Sequence, residues 1–141
     1  MKVTSTVNAP VSFFYQKLID SVLYDIKHET GQDLTFAQLL GFEYKKSLGA
    51  RGTLRIKITK LVQNQSYAFD TVAGADTYHT SYQVAGTEDD KTDVIYQENA
   101  DYGDTIKQRN NQLMMLLIGW SKKRRMKQMW DRVAASYQAG E

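Results

Sequence analysis

The chain has 141 residues, 42% of them apolar and 24% charged, with a net charge of +2 and no cysteine. That length fits one domain over residues 1–141, since a domain is usually about 100 to 200 residues and a chain near 150 buries roughly 70% of its unfolded surface. The missing thiols exclude disulfides, thiolate zinc sites, iron–sulfur clusters and a cysteine nucleophile, so stability has to come from burial.

The longest apolar run, LMMLLIGW at 113–120, is well short of the ~20 residues that span a bilayer. Residues 1–10 alternate polar and apolar where a secretory signal would need an unbroken hydrophobic block. These features predict a cytoplasmic protein without membrane insertion.

Residues 2–7 (KVTSTV) set Val3, Ser5 and Val7 against Lys2, Thr4 and Thr6, a β-branched pattern with the period of two of a strand. The single proline, Pro10, follows. It cannot donate to a ladder, and its fixed φ suits the start of a helix, so it switches strand to helix. Val11, Phe14, Tyr15, Leu18, Ile19, Val22 and Ile26 then recur at helical spacing until Gly31, the natural stop. TFAQLLG at 35–41 places Gln38 three residues after Thr35, the capping-box spacing, and predicts a short second helix ending at Gly41.

From Phe42 to about Asn99 the period returns to two, punctuated by GARG at 49–52, QNQS at 63–66, GAD at 74–76 and GTEDD at 86–90. Strands are expected at about 42–48, 53–62, 66–73, 77–85 and 92–99. Their short connections make neighbours antiparallel and the set a meander. Leu54, Ile56 and Ile58 alternate with Arg55, Lys57 and Thr59, and Tyr78, Tyr82 and Val84 with His79, Ser81 and Gln83, so one face is dry and the other wet.

Asp104 to Ala139 reads as one long helix with Asp104 as N-cap. Its apolar stripe is Ile118, Lys122, Met126, Met129, Val133 and Tyr137, edged by Met115 and Trp130. About 30 helical residues reach ~45 Å, whereas a compact domain of this size has a radius of gyration near ~14 Å. The helix must therefore cross the whole molecule. Gly119 in its middle points either to close approach of the sheet or to a bend that widens a pocket.

The fold class expected is α+β: a strand, two helices, an antiparallel meander and a long closing helix laid over the sheet's apolar face. In the opening stretch NAPVSFFYQKLID, the residues Ala9, Pro10, Phe14, Leu18 and Asp20 resemble the signature at the start of START-like proteins, the helix-grip superfamily of polyketide cyclases and lipid-transfer domains. Within it, the chain looks most like a small bacterial family of uncharacterised function. The usual fold has seven strands and six are counted here, which places a seventh near 99–103 or in a split of 53–62.

The resemblance implies a cavity between sheet and C-terminal helix, with an apolar or aromatic ligand. Tyr67, Phe69, Tyr78, Tyr82 and Tyr96 fall on alternating strand positions, and Met115 and Ile118 on the helix stripe. These are the candidate ligand-binding residues. A tyrosine ring supplies wall area while its hydroxyl asks for a polar partner. Equally, aromatic residues favour strands and can simply fill an interior.

Catalytic signals are weak. Glu98 is the one carboxylate that alternation places inward, beside Tyr96, where burial would raise its pKa and make it an acid. His28 sits near the first helix's C-terminus and His79 on the polar side of its strand, a poor metal constellation. No cofactor or metal motif is present.

The basic residues of 42–60 and 107–132 flank an acidic segment at 87–105, a pattern of opposite signs that neutralise one another within a fold. KKRR at 122–125 spreads around the helix axis and cannot face one phosphate backbone, so nucleic acid is not expected as a partner. Lys122, near the stripe, would extend its stem to water.

The reading favoured is non-catalytic binding of a small hydrophobic or aromatic molecule. Two alternatives stand beside it. One is a protein-interaction or regulatory module with a filled core, similar to the superfamily's chaperone-activator branch. The other is a cyclase or hydrolase using Glu98 or a tyrosine. The sequence leaves the oligomeric state open.

Overall fold

A computed structural model describes residues 1–103 and 105–140, with side-chain detail for all of these except 51 and 105–121. In chain order the elements are β1 (Lys2–Val7), α1 (Val11–Thr30), β2 (Glu43–Ser47), β3 (Thr53–Val62), β4 (Ser66–Ala73), β5 (Asp76–Gly86), β6 (Thr92–Asp101) and α2 (Thr105–Gln138). The strands form one antiparallel sheet in the order β1-β6-β5-β4-β3-β2, a meander with the first strand added beside the last. With α1 and α2 on its inner face, this is the helix-grip arrangement. No helix among the described residues is long and apolar enough to cross a membrane.

Pro10 caps α1 at φ −61° and ψ 150°, an extended residue that ends the strand geometry and releases the next residue into the helix. At the other end Gly31 takes φ +76° and its N–H donates to the Lys27 carbonyl, the left-handed cap that glycine adopts without a Cβ penalty.

The short second helix is corrected to a single 3-10 turn at Phe36–Gln38. Its start signal is real, because the Thr35 N–H donates to Gln38 Oε1 at 2.9 Å. Propagation stops because the Gly41 N–H donates to the Ile58 carbonyl and the Ile58 N–H to the Phe42 carbonyl, drawing the chain into pairing with β3. No seventh strand appears among the described residues. β6 runs unbroken to Asp101, and β3 is one strand with a bulge between Ile58 and Lys60. Asp104, the expected N-cap of α2, and the side-chain surroundings of Gly119 lie outside the described residues.

The core lies between the inner sheet face and the two helices. α1 contributes Phe14, Tyr15, Ile19, Val22 and Ile26, and α2 contributes Met126, Trp130 and Ala134. Sequence spacing places Trp130 at the edge of the α2 stripe and Met129 at its centre. The structure reverses them, with Trp130 1% exposed and Met129 43% exposed. The reason is the second helix partner: Phe14 of α1 meets the Trp130 ring edge-on at 6.4 Å, which turns α2 toward the 126, 130, 134 face. Two buried hydrogen bonds tie the layers together, Tyr15 Oη to the Ser66 carbonyl (2.8 Å) and Thr92 Oγ1 to the Ala9 carbonyl (2.7 Å).

Candidate ligand-binding site

Sheet register decides what the inner face presents. Tyr67 of β4 pairs with Tyr82 of β5, which pairs with Tyr96 of β6, so three tyrosines stand in one row across three strands. Tyr67 and Tyr82 stack at 6.1 Å with 7° between their planes, and Tyr96 meets Tyr82 edge-on at 5.0 Å. Phe69, two residues along β4, lies 5.3 Å from Tyr67.

Above this aromatic floor lies a cleft of about 600 Å³ lined by both helices. Tyr67, Phe69 and Tyr82 form its floor. Phe14, Leu18 and Val22 of α1 make one wall, and Met129, Trp130 and Val133 of α2 the other. Tyr24, 74% exposed, stands at the rim.

One end is polar. Asp25 of α1 accepts from Tyr44 Oη at 2.6 Å and from Lys46 Nζ at 2.7 Å, both on β2. Burial, then the hydrogen bond to Asp25, pushes the Tyr44 phenol well up. Burial also raises Tyr67, and it lifts Tyr82 to about 12, with the Glu98 charge adding to the latter. All three phenols therefore remain protonated donors at physiological pH.

Of the residues expected at the site, Tyr67, Phe69 and Tyr82 come together in the cleft. Tyr96 and Tyr78 do not line it. Tyr96 stands behind Tyr82 and donates to Glu98 Oε2 at 2.6 Å, while Tyr78 packs edge-on to Tyr102 at 6.1 Å. Met115 and Ile118 lie outside the described side chains. The expectation placed the cavity between sheet and C-terminal helix and omitted the wall from α1, the Asp25 end and Trp130. A signal for that end was present, since Tyr44 and Lys46 share one face of β2 by alternation and Asp25 follows Val22 by one helical turn.

Glu98 requires a correction. Its carboxylate is ion-paired with Lys122 of α2 and also accepts from Tyr96. Burial raises its pKa, but the hydrogen bonds from Lys122 and Tyr96 outweigh that, and the net shift is downward. It is held ionised, not poised as an acid. Lys122 correspondingly turns inward to this carboxylate instead of reaching for water, while Lys123, Arg124 and Arg125 are exposed.

On the outer face His79 is bracketed by two carboxylates. Nδ1 lies 2.7 Å from Asp70 Oδ1 and Nε2 2.9 Å from Asp101 Oδ2. The hydrogen bonds to Asp101 and then Asp70 raise its pKa against a small desolvation effect. A raised folded pKa means that the bracket's contribution to stability is fully present below the unfolded value, about 6.5, and is lost as pH rises through the folded one. An NMR titration of the His79 ring is expected to show a midpoint above that of an unfolded peptide, and Asp70→Asn or Asp101→Asn to lower it. An unshifted midpoint in the native protein would dissolve the bracket. His28 lies in the last turn of α1, stacked on Tyr24 at 6.2 Å.

No curated protein matches the chain. Several solved structures share its fold. DynU16, a protein in the dynemicin biosynthetic locus, is 14% identical with a TM-score of 0.60, and the match covers 100% of this chain but 48% of that one. A conserved protein from Geobacillus kaustophilus is 13% identical over 96% of this chain and 95% of its own, with a TM-score of 0.55. An HSP90 activator from Plasmodium falciparum is 10% identical over 86% and 87%, with a TM-score of 0.51. At these identities the likeness is one of fold. Sequence likeness is stronger in one direction: residues 1–119 match DUF3284, a domain of unknown function, and the chain belongs to that family.

Proposed function

We propose that the chain is a single START-like domain over residues 1–141 whose cleft binds a small hydrophobic or aromatic molecule without transforming it. The observation that carries this reading is the cleft itself, about 600 Å³, within the ~300–1,000 Å³ usual for small-molecule sites. Its aromatic floor offers stacking area, and a few polar groups stand in the lining, Lys17, Ser21 and Asp25 of α1 with Tyr44 and Lys46 of β2, as expected where a few contacts orient an apolar ligand. The state of Glu98 favours binding over catalysis, because a carboxylate held ionised by Lys122 and Tyr96 is a poor proton donor.

Native mass spectrometry of freshly purified protein, compared with the same sample after denaturation, tests the proposal. The expected result is a mass excess of a few hundred daltons that disappears on denaturation, together with a rise in melting temperature when the extracted compound is returned in excess. A bare mass and unchanged melting across broad lipid and aromatic libraries would overturn it.

A further inference from the structure

The charges along the cleft do not balance. Among the described residues its lining holds two ammonium groups, Lys17 of α1 and Lys46 of β2, and one carboxylate, Asp25 of α1. Lys46 and Asp25 answer each other at 2.7 Å, and the second Asp25 oxygen accepts from the Tyr44 hydroxyl. Lys17 is left over. It makes no ion pair with a described carboxylate, and Asp20, three residues on, accepts from Gln16 instead. The Lys17 ammonium lies 5.1 Å from the centre of the Phe13 ring. That is a weak hold on a half-buried lysine, and a carboxylate within reach of its flexible stem competes well against it. Ser21 stands in the same wall, four residues along α1, with its Cβ about 5–6 Å from that of Lys17. The two side chains are thus spaced to hold one acceptor group between them.

The other hydroxyls of the lining suit an anion less well. Tyr44 already donates to Asp25. Tyr67 and Tyr82 offer phenols from the floor, but the Asp25 charge acts on Tyr67 and the Glu98 charge on Tyr82, each raising the pKa of the phenol it reaches. The same negative charges oppose a carboxylate on the floor, so these phenols suit a neutral acceptor or water. Resting on the binding role set out above, we propose that the cleft takes molecules with an apolar or aromatic body and one carboxylate, the body lying on Tyr67 and Tyr82 and the carboxylate held by Lys17 and Ser21.

Biphenyl-4-carboxylate and biphenyl-4-carboxamide make the test, since they share a shape and a carbonyl acceptor and differ in charge. At neutral pH and low ionic strength the full-length protein is expected to bind the carboxylate about tenfold more tightly than the amide. In about 1 M salt, where the Debye length falls to about 3 Å, that preference should shrink. Lys17→Met, which keeps the apolar stem, is expected to bring the two affinities together, and Lys17→Arg to keep them apart. Equal affinities in the native protein, or a preference that Lys17→Met leaves unchanged, would overturn the anion site while leaving the binding function standing. Failure of both compounds to bind at saturation would overturn the binding function as well.

Discussion

Trp130→Ala is expected to destabilise the fold by about 3–5 kcal/mol, the range for truncating a large buried aromatic without collapse of the surroundings. For a domain of this size that corresponds to a fall in melting temperature on the order of 10–15 °C. The effect should sit near the top of that range for a structural reason. Among the described residues Trp130 heads the largest fully buried side chains, and its ring meets that of Phe14, so it joins α2 to α1. Met129→Ala, one residue away but 43% exposed, should cost less than about 1 kcal/mol. Thermal or denaturant unfolding of the two variants measures the difference. Similar losses for both would mean that α2 does not grip the sheet through the 126, 130, 134 face.

The second large effect is expected at the Glu98–Lys122 pair. The Glu98 side chain is 14% exposed and that of Lys122 33%, so the two halves of the pair are not equivalent. Lys122→Met leaves the deeper charge with only the Tyr96 hydroxyl as a partner and should cost about 2–3 kcal/mol. Glu98→Gln leaves a lysine that can swing to water and should cost about 1 kcal/mol. Combined, the two substitutions should lose less than their sum, and a double-mutant cycle reads that coupling.

The same pair sets an acid limit. Glu98 has a folded pKa below its ordinary value, so its contribution is present above about pH 4.3, the unfolded value, and is lost as pH falls through the folded one. In Lys122→Met the folded pKa of Glu98 rises toward the unfolded one, so the part of the acid-dependent loss that Glu98 contributes should shrink. A stability profile of the same shape for native protein and variant would show that Lys122 does not control Glu98.

Several elements were legible before any coordinates. The Val3–Val7 alternation, the Pro10 switch, the helical spacing from Val11 to Ile26 and the stop at Gly31 are local signals, and each appears where the sequence places it. The strands after Gly52 follow their turn residues almost to the residue. Thr35 and Gln38 mark a helix start correctly, yet the pull of β3 on Gly41 and Phe42 limits it to one turn. Local capping chemistry cannot anticipate that competition, because the competing hydrogen bonds come from a strand still to be made.

The candidate site divides in the same way. Alternation alone puts Tyr67, Phe69 and Tyr82 on a common face, since a period of two is a property of each strand by itself. Whether Tyr96 or Tyr78 joins them depends on how far each strand is offset along its neighbour and on where the helices lie, and neither quantity is written in the spacing. The joining of Lys122 to Glu98 across 24 residues and of Asp25 to Lys46 across 21 belongs to tertiary packing too. By itself the sequence determined the order and kind of elements and the dry face of the sheet, because periodicity and turn chemistry act over a few residues. The tertiary structure alone decided that α1 walls the cleft, that Trp130 occupies the centre of the grip and that Glu98 is held as an ion, because each depends on which faces of distant elements are pressed together.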